Sequence, residues 1–368
     1  MEHKQDVLNV GIIGLGEVAQ TIHLPVLEAL PNHYWIGALC DISPKLVECM
    51  GSKYRVASLY TDAAEIVKQA DLDVIFILSS DEFHAENAIA AANNGKHVFI
   101  EKPMTLTLSE ADAIIDARDK NGVKMMVGYM RRYASAFEQA VQEAGSFDDI
   151  TFARVRAIIG PNKYFIDSTH HVVSFNDFPE GSREDKTSRA VRQLKEATGL
   201  DEGSPYFQFW RFLCGLSSHD LSAMREVLGM PKGVVGAKLT HNGGVTFLSA
   251  IFDYGKFSVV FETGIDQQGR FDAHVEVYSP AKSVRVQYNT PYIRHLPTEL
   301  HVKETVGEVY TESVIRPTFT DPYTIELIYF HDVITKDLTP KTTPEDYKND
   351  LVIFKMIIDA LIRNEKGS

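Results

Sequence analysis

Leu8-Asn9-Val10-Gly11-Ile12-Ile13-Gly14-Leu15-Gly16-Glu17-Val18-Ala19 carries an apolar strand straight into Gly14-x-Gly16-x-x-Ala19, and a helix-forming segment follows. A strand that turns tightly into a helix gathers the helix's unbonded N–H groups at one point, where an anion can be held. Gly14 suits the tight turn, Gly16 leaves bare backbone for a phosphate, and Ala19 lets the helix pack close to the strand. The pattern recurs by chance in unrelated chains, so its context matters. The next apolar strand, Tyr34 to Cys40, ends at Asp41, close to the spacing at which a carboxylate reaches a ribose hydroxyl. A dinucleotide site is therefore predicted, with Gly14, Gly16, Glu17, Val18 and Asp41 around it. A carboxylate at Asp41 accepts from a ribose 2′-hydroxyl and repels a 2′-phosphate, so NAD is expected over NADP. Lys45, the only nearby cation, would soften that preference.

Composition bounds the rest. A chain of 368 residues is long enough for two domains with separate cores. The formal net charge of −13, with no basic stripe, argues against a nucleic-acid partner. Cys40, Cys49 and Cys214 lack C-x-x-C spacing, so neither a disulfide framework nor a zinc site is expected, and no metal. The polar stretch Met1 to Asp6 has no signal-peptide character, and no apolar run is long enough to span a bilayer. A cytoplasmic protein without a membrane partner is expected.

Strands alternate with helices up to Gly128. Strands are predicted at Val7 to Ile13, Tyr34 to Cys40, Val74 to Leu78, Val98 to Ile100 and Met125 to Val127. Helices are predicted from Val18 to Leu30, after the Ser43 cap with Pro44 at the first position, from Thr61 or Asp62 to about Gln69, and from His84 to Asn93. A further helix opens with the capping box Thr107-Leu-Ser-Glu110. This alternation predicts a doubly wound parallel sheet. Beyond Gly128, runs with partial period-two alternation predict strands at 150–159, 234–241, 245–254, 257–262, 273–278 and 284–288, with two more between Glu299 and Ile315. Tight links such as Asn242-Gly243-Gly244 join neighbours, so this sheet is predicted to be mostly antiparallel. Helices start at Asp321-Pro322 and Thr343-Pro344; the last has one wide apolar stripe and must pack on something. The predicted fold class is thus α/β plus α+β. Its domains are 1–128, 129–342 with a long insertion at 160–206 that holds a helix from Ser182, and a terminal helix at 343–364.

Glu101-Lys102-Pro103 follows the strand Val98 to Ile100. In an open parallel sheet, ligands lie beyond the carboxyl ends of the strands, so Lys102 is expected to point its ammonium at the cofactor crevice. Pro103, with fixed φ and no N–H, stiffens that turn.

The glycine turn, Asp41, Glu101-Lys102-Pro103 and Val127-Gly128-Tyr129-Met130-Arg131-Arg132-Tyr133 together resemble the glucose-fructose oxidoreductase / inositol dehydrogenase / rhizopine-catabolism (Gfo/Idh/MocA) family. Tyr323-x-x-Glu326-Leu327-x-x-Phe330 extends the likeness over nearly the whole chain. The resemblance implies a Rossmann domain that binds NAD or NADP and a C-terminal open sheet that forms subunit contacts in a homodimer or homotetramer. It also implies a sugar, polyol or related carbonyl compound as substrate, placed between the nicotinamide and that sheet. Ser79-Ser80-Asp81-x-x-His84 occupies the place of a Thr-Pro-Asn-x-x-His loop that lines the cofactor. Glu101 would bond the nicotinamide-side ribose, Lys102 would touch the reacting oxygen, and Arg132 would sit near the nicotinamide. His23 matches a family position in the first helix; helix packing explains it equally well.

His219 fits the family's Asp-x-x-x-His motif, but Gly215 stands where the Asp belongs. Asp220 follows His219 directly, and adjacent helix residues do not face each other. On this reading His219 is the acid/base and Lys102 its electrostatic partner, the two reaching one substrate oxygen. Tyr164, His170, His171 and Asp220 are further candidates for substrate contact. The resemblance also leaves two alternatives open: a redox-neutral NAD-dependent glycosidase, and a non-catalytic NAD-binding regulator.

Overall fold

The computed structural model describes residues 7–366; Met1 to Asp6 and residues 367–368, including the polar N-terminal stretch, lie outside the described residues. The chain forms two compact units. Among the described residues, the first comprises 7–128, 171–211 and 326–348, the second 129–170, 212–325 and 349–366. The long connection and the last helix each contribute residues to both units.

The first unit holds a six-stranded parallel sheet. Its strands are β1 (Leu8–Ile13), β2 (Tyr34–Cys40), β3 (Ser58–Tyr60), β4 (Val74–Ile77), β5 (His97–Glu101) and β6 (Met125–Gly128), in the order β3-β2-β1-β4-β5-β6. β4 is buried throughout, as a strand covered on both faces must be. Strand order reverses between β1 and β4, the switch point beyond whose carboxyl ends ligands bind. β3 was not predicted; its three residues, two of them exposed, are too short to show a period.

Local chemistry accounts for the helix starts. Ser43 accepts from Leu46 N and caps Pro44–Tyr54; Asp62, not Thr61, caps Ala63–Ile66 by accepting from Ala64 N. Thr107 accepts from Glu110 N, but the capping box is only half made, because Glu110 Oε1 takes Nε2 of Gln193 at 2.5 Å. The helix predicted from Val18 to Leu30 is a π turn (Ala19–His23) continued by an α-helix (Leu24–Ala29). Pro25 explains this in part: it has no N–H to give the preceding turn.

The second unit holds an eight-stranded sheet. Its strands are β7 (Phe152–Ile159), β8 (Gly233–Asn242), β9 (Val245–Asp253), β10 (Ser258–Ile265), β11 (Phe271–Tyr278), β12 (Lys282–Tyr288), β13 (Glu299–Val306) and β14 (Val309–Ile315). The order is β14-β13-β12-β11-β7-β10-β9-β8, antiparallel except for the β7–β10 pair. β7 alternates half-buried and buried residues along its whole length, so one face is packed and the other is not. Helices Ser135–Gly145 and Ser218–Leu228 cover the packed face. The helices Ser135–Gly145 and Asn162–Thr169 were not predicted. Among the described residues, no helix is long and apolar enough to cross a membrane.

Candidate active site

In the first unit the glycine turn is forced by its backbone. Gly14 has φ +96°, and a Cβ there would lie 2.5 Å from the backbone of Leu78 and Ser79 at the end of β4. Both demands exclude any other residue. Gly16 is the opposite case: a Cβ there meets nothing within 4 Å, so the space beside it is open. Gly16 and Glu17 are exposed and Val18 is half-buried, at the start of a helix whose Ala19 is fully buried. An open hollow at a helix N-terminus suits a pyrophosphate.

Asp41 is bonded to the glycine turn at Leu15, next to Gly16. Its Oδ2 accepts from Leu15 N at 2.8 Å and its Oδ1 from Ser43 N at 3.0 Å. Each carboxylate oxygen has a second acceptor direction left for a ribose hydroxyl. Burial raises the Asp41 pKa, the N–H groups of Leu15 and Ser43 pull it back, and the charge of Asp177 raises it further.

The loop after β4 is tightly braced. His84 Nε2 lies 2.8 Å from Ser79 O and its Nδ1 2.8 Å from Pro103 O, so the ring ties the Ser79-Ser80 loop to the Glu-Lys-Pro turn. Asn87 donates to Ser79 Oγ, and Ser80 Oγ donates to Glu82 at 2.6 Å. Arg211 bridges Asp81 and Glu82 at 2.6 and 2.8 Å. The Lys102–Pro103 peptide is cis.

Glu101 ends β5 and is buried. Its Oε1 lies 2.7 Å from His23 Nε2, and its Oε2 accepts from Lys102 N at 3.0 Å. Burial opposes its ionisation, but the hydrogen bond and charge of His23, then Lys102, hold its pKa below the usual carboxylate value. His23 itself packs edge-on against Phe76 and Phe99.

In the second unit, Ser218–Leu228 carries His219 just after a π turn (Leu213–Ser217) that contains Gly215. Such turns recur at functional positions. His219 is buried, with Tyr129 edge-on at 6.3 Å. Asp220 is fully buried and pairs with Arg131, whose guanidinium also lies over Phe271 and Tyr288. Arg132 is buried and pairs with Glu226 at 2.5 Å. Asp350, which the sequence did not single out, accepts from Tyr129 Oη at 2.5 Å and from Arg225 Nε at 2.7 Å. These bonds clamp the His219 helix to the 129–133 segment. Asp350 interrupts the apolar stripe of the last helix, and that was its only sequence signal.

The substrate-contact candidates are placed differently. Tyr164 is 60% exposed and packs over Gly269, and His171 is exposed. His170 caps the end of Asn162–Thr169, its Nδ1 2.7 Å from Thr169 Oγ1. The structure thus gathers Gly14, Gly16, Asp41, Ser79, Ser80, His84, Glu101 and Lys102 in the first unit. His219, Asp220 and Arg132 gather in the second.

Residues 8–129 match the Gfo/Idh/MocA family model, described as "Oxidoreductase family, NAD-binding Rossmann fold". Inositol 2-dehydrogenase of Salmonella paratyphi B is 35% identical over 134 residues, 36% of this chain and 40% of that protein. The matched stretch therefore spans about two fifths of that relative's length. An uncharacterised oxidoreductase of Bacillus subtilis, YrbE, is 23% identical over 337 residues, 90% of this chain and 88% of that protein. Scyllo-inositol dehydrogenase from Lactobacillus casei, solved with NAD(H) and scyllo-inositol, superposes with a TM-score of 0.69 at 20% identity. That likeness covers 97% of this chain and 98% of the other, and it is one of fold.

Proposed function

Because residues 8–129 match the NAD-binding Rossmann model of the Gfo/Idh/MocA oxidoreductase family, we propose that the chain is a member of that family and an NAD-dependent dehydrogenase that acts on a CH–OH carbon of a polyol or sugar, cyclic polyols first. The observation that carries this reading is the open space at Gly16 together with the Asp41 carboxylate bonded to the same turn at Leu15 N. The hollow admits a pyrophosphate, and the acid beside it accepts from a ribose diol. That several relatives bear the name inositol 2-dehydrogenase supports the substrate class.

Oxidising a carbinol removes a hydride and a proton. NAD, when bound, supplies the hydride acceptor. The proton falls to the chain. An alcohol holds its proton too tightly for water to take it efficiently at neutral pH, and a positioned imidazole suits the task. On this reading His219 takes the proton, and the Lys102 ammonium stabilises negative charge as it develops on the oxygen. Glu101, fixed as an anion by His23, would accept from the ribose nearest the nicotinamide. His84 holds the Lys102 turn in place through Pro103 O. Arg132 and Asp220, each in a buried ion pair, act by keeping the His219 helix in place. Assembly of copies through the second unit's sheet, where Val235 and Ile251 are exposed, belongs to the same reading.

The test is reduction of NAD, followed at 340 nm, against a panel of inositols, linear polyols and aldoses. NADH formation with one of them is the expected result. Release of sugar from a glycoside without net NADH would favour the redox-neutral glycosidase, and binding without turnover would favour the regulator.

A further inference from the structure

We propose that Asp177, far from the glycine turn in sequence, is a built-in barrier to NADP: its carboxylate already holds the donors beside Asp41 that a ribose 2′-phosphate would need. This inference rests on the NAD reading above and specifies how that site chooses its cofactor.

Asp177 arrives on a strap, residues 171–177, that lies on the first unit. Gln20 ties the strap down by reciprocal bonds: its Oε1 accepts from Val173 N at 2.9 Å and its Nε2 donates to Val173 O at 2.9 Å. The same Nε2 donates to Leu15 O at 2.8 Å, so the strap is anchored on the glycine turn itself. Four residues further on, Asp177 Oδ1 accepts from Ser43 Oγ at 2.5 Å and Oδ2 from Lys45 N at 2.9 Å.

Those two donors open the helix Pro44–Tyr54, directly after Asp41. A helix N-terminus draws an anion to its unbonded N–H groups. Asp177 is the anion drawn here, and Asp41 takes the remaining nearby donor, Ser43 N. A phosphate on the 2′-oxygen would thus find the hydroxyl and amide next to Asp41 occupied and two carboxylates facing it. The carboxylates are near enough to interact: the charge of Asp177 helps raise the Asp41 pKa. Lys45, which would otherwise soften the preference, gives its backbone N–H to Asp177, whose pKa is lowered first by Ser43 and also by Lys45. A 2′-hydroxyl needs only one acceptor, and Asp41 retains it.

The experiment is calorimetric titration of wild type, Asp177→Ala and Asp177→Asn with NAD⁺ and NADP⁺, and with 5′-AMP and 2′,5′-ADP to isolate the phosphate. Both variants are expected to raise the NADP⁺-to-NAD⁺ affinity ratio by about tenfold or more, since both remove the charge. The 2′,5′-ADP-to-5′-AMP ratio should move with it. A ratio within about twofold of wild type in both variants would overturn the proposal, as would a shift in Asp177→Ala alone, which would point to space and not charge. Wild-type protein that binds neither dinucleotide would instead overturn the cofactor reading, and this inference with it.

Discussion

His23 Nε2 lies 2.7 Å from Glu101 Oε1, and both side chains are withdrawn from solvent. A buried carboxylate needs a partner that outweighs its lost hydration, and losing one partner of such a pair is strongly destabilising. His23→Leu should therefore cost about 3 kcal/mol or more at pH 7, read from urea unfolding. The pKa of Glu101 is held below its ordinary value of 4.5, so its contribution is full above pH 4.5 and lost as pH falls through the depressed value. The gap between wild type and variant should narrow over that acid range; a constant gap would mean His23 contributes packing alone.

Gly14 and Gly16 separate folding from binding. A Cβ at Gly14 strikes the backbone of Leu78 and Ser79, whereas a Cβ at Gly16 enters open space. Gly14→Ala should lower the thermal midpoint, and Gly16→Val should leave it near wild type while weakening NAD⁺ by roughly tenfold or more. Unchanged NAD⁺ affinity in Gly16→Val would remove the phosphate from this hollow.

Lys102 and His219 are expected to serve chemistry more than cofactor affinity. Lys102→Ala and His219→Gln should each cut turnover by roughly 10²–10⁴-fold while NAD⁺ binding, measured by fluorescence titration, stays close to wild type. Turnover unchanged in either variant would dismiss that residue.

His274 on β11 makes the second unit acid-sensitive. Burial, and then the charge of Arg285, lower its pKa from 6.5 to about 4. The unfolded chain therefore binds the proton first, and the stability this residue permits at neutral pH is lost as pH falls from 6.5 toward 4. Between pH 7 and 5, wild type should lose about 2 kcal/mol more than His274→Gln, by urea unfolding. Parallel losses would contradict the assignment.

The parts of the fold that were legible have local causes. The Gly14 turn, the Ser43 and Thr107 caps and the period-two strands of the second sheet each follow from neighbouring residues, so the sequence displays them. The supports of the site are long-range pairs that leave no local pattern. Gln20 meets Val173 across 153 residues, Ser43 meets Asp177 across 134, and Tyr129 meets Asp350 across 221. Glu110 shows the same competition on a small scale: its local capping bond gave way to distant Gln193.

Net hydride transfer from the carbinol carbon to the nicotinamide distinguishes a dehydrogenase from every alternative, and isotopic labelling reads it directly. The protein would be incubated with NAD⁺ and carbon-deuterated inositol, or whichever polyol of the panel reduces the cofactor, and the cofactor weighed by mass spectrometry. Reduced nicotinamide carrying one deuterium from the carbinol carbon is the expected product. Reduced cofactor without the label, or polyol consumed while NAD⁺ stays oxidised and unlabelled, would contradict it.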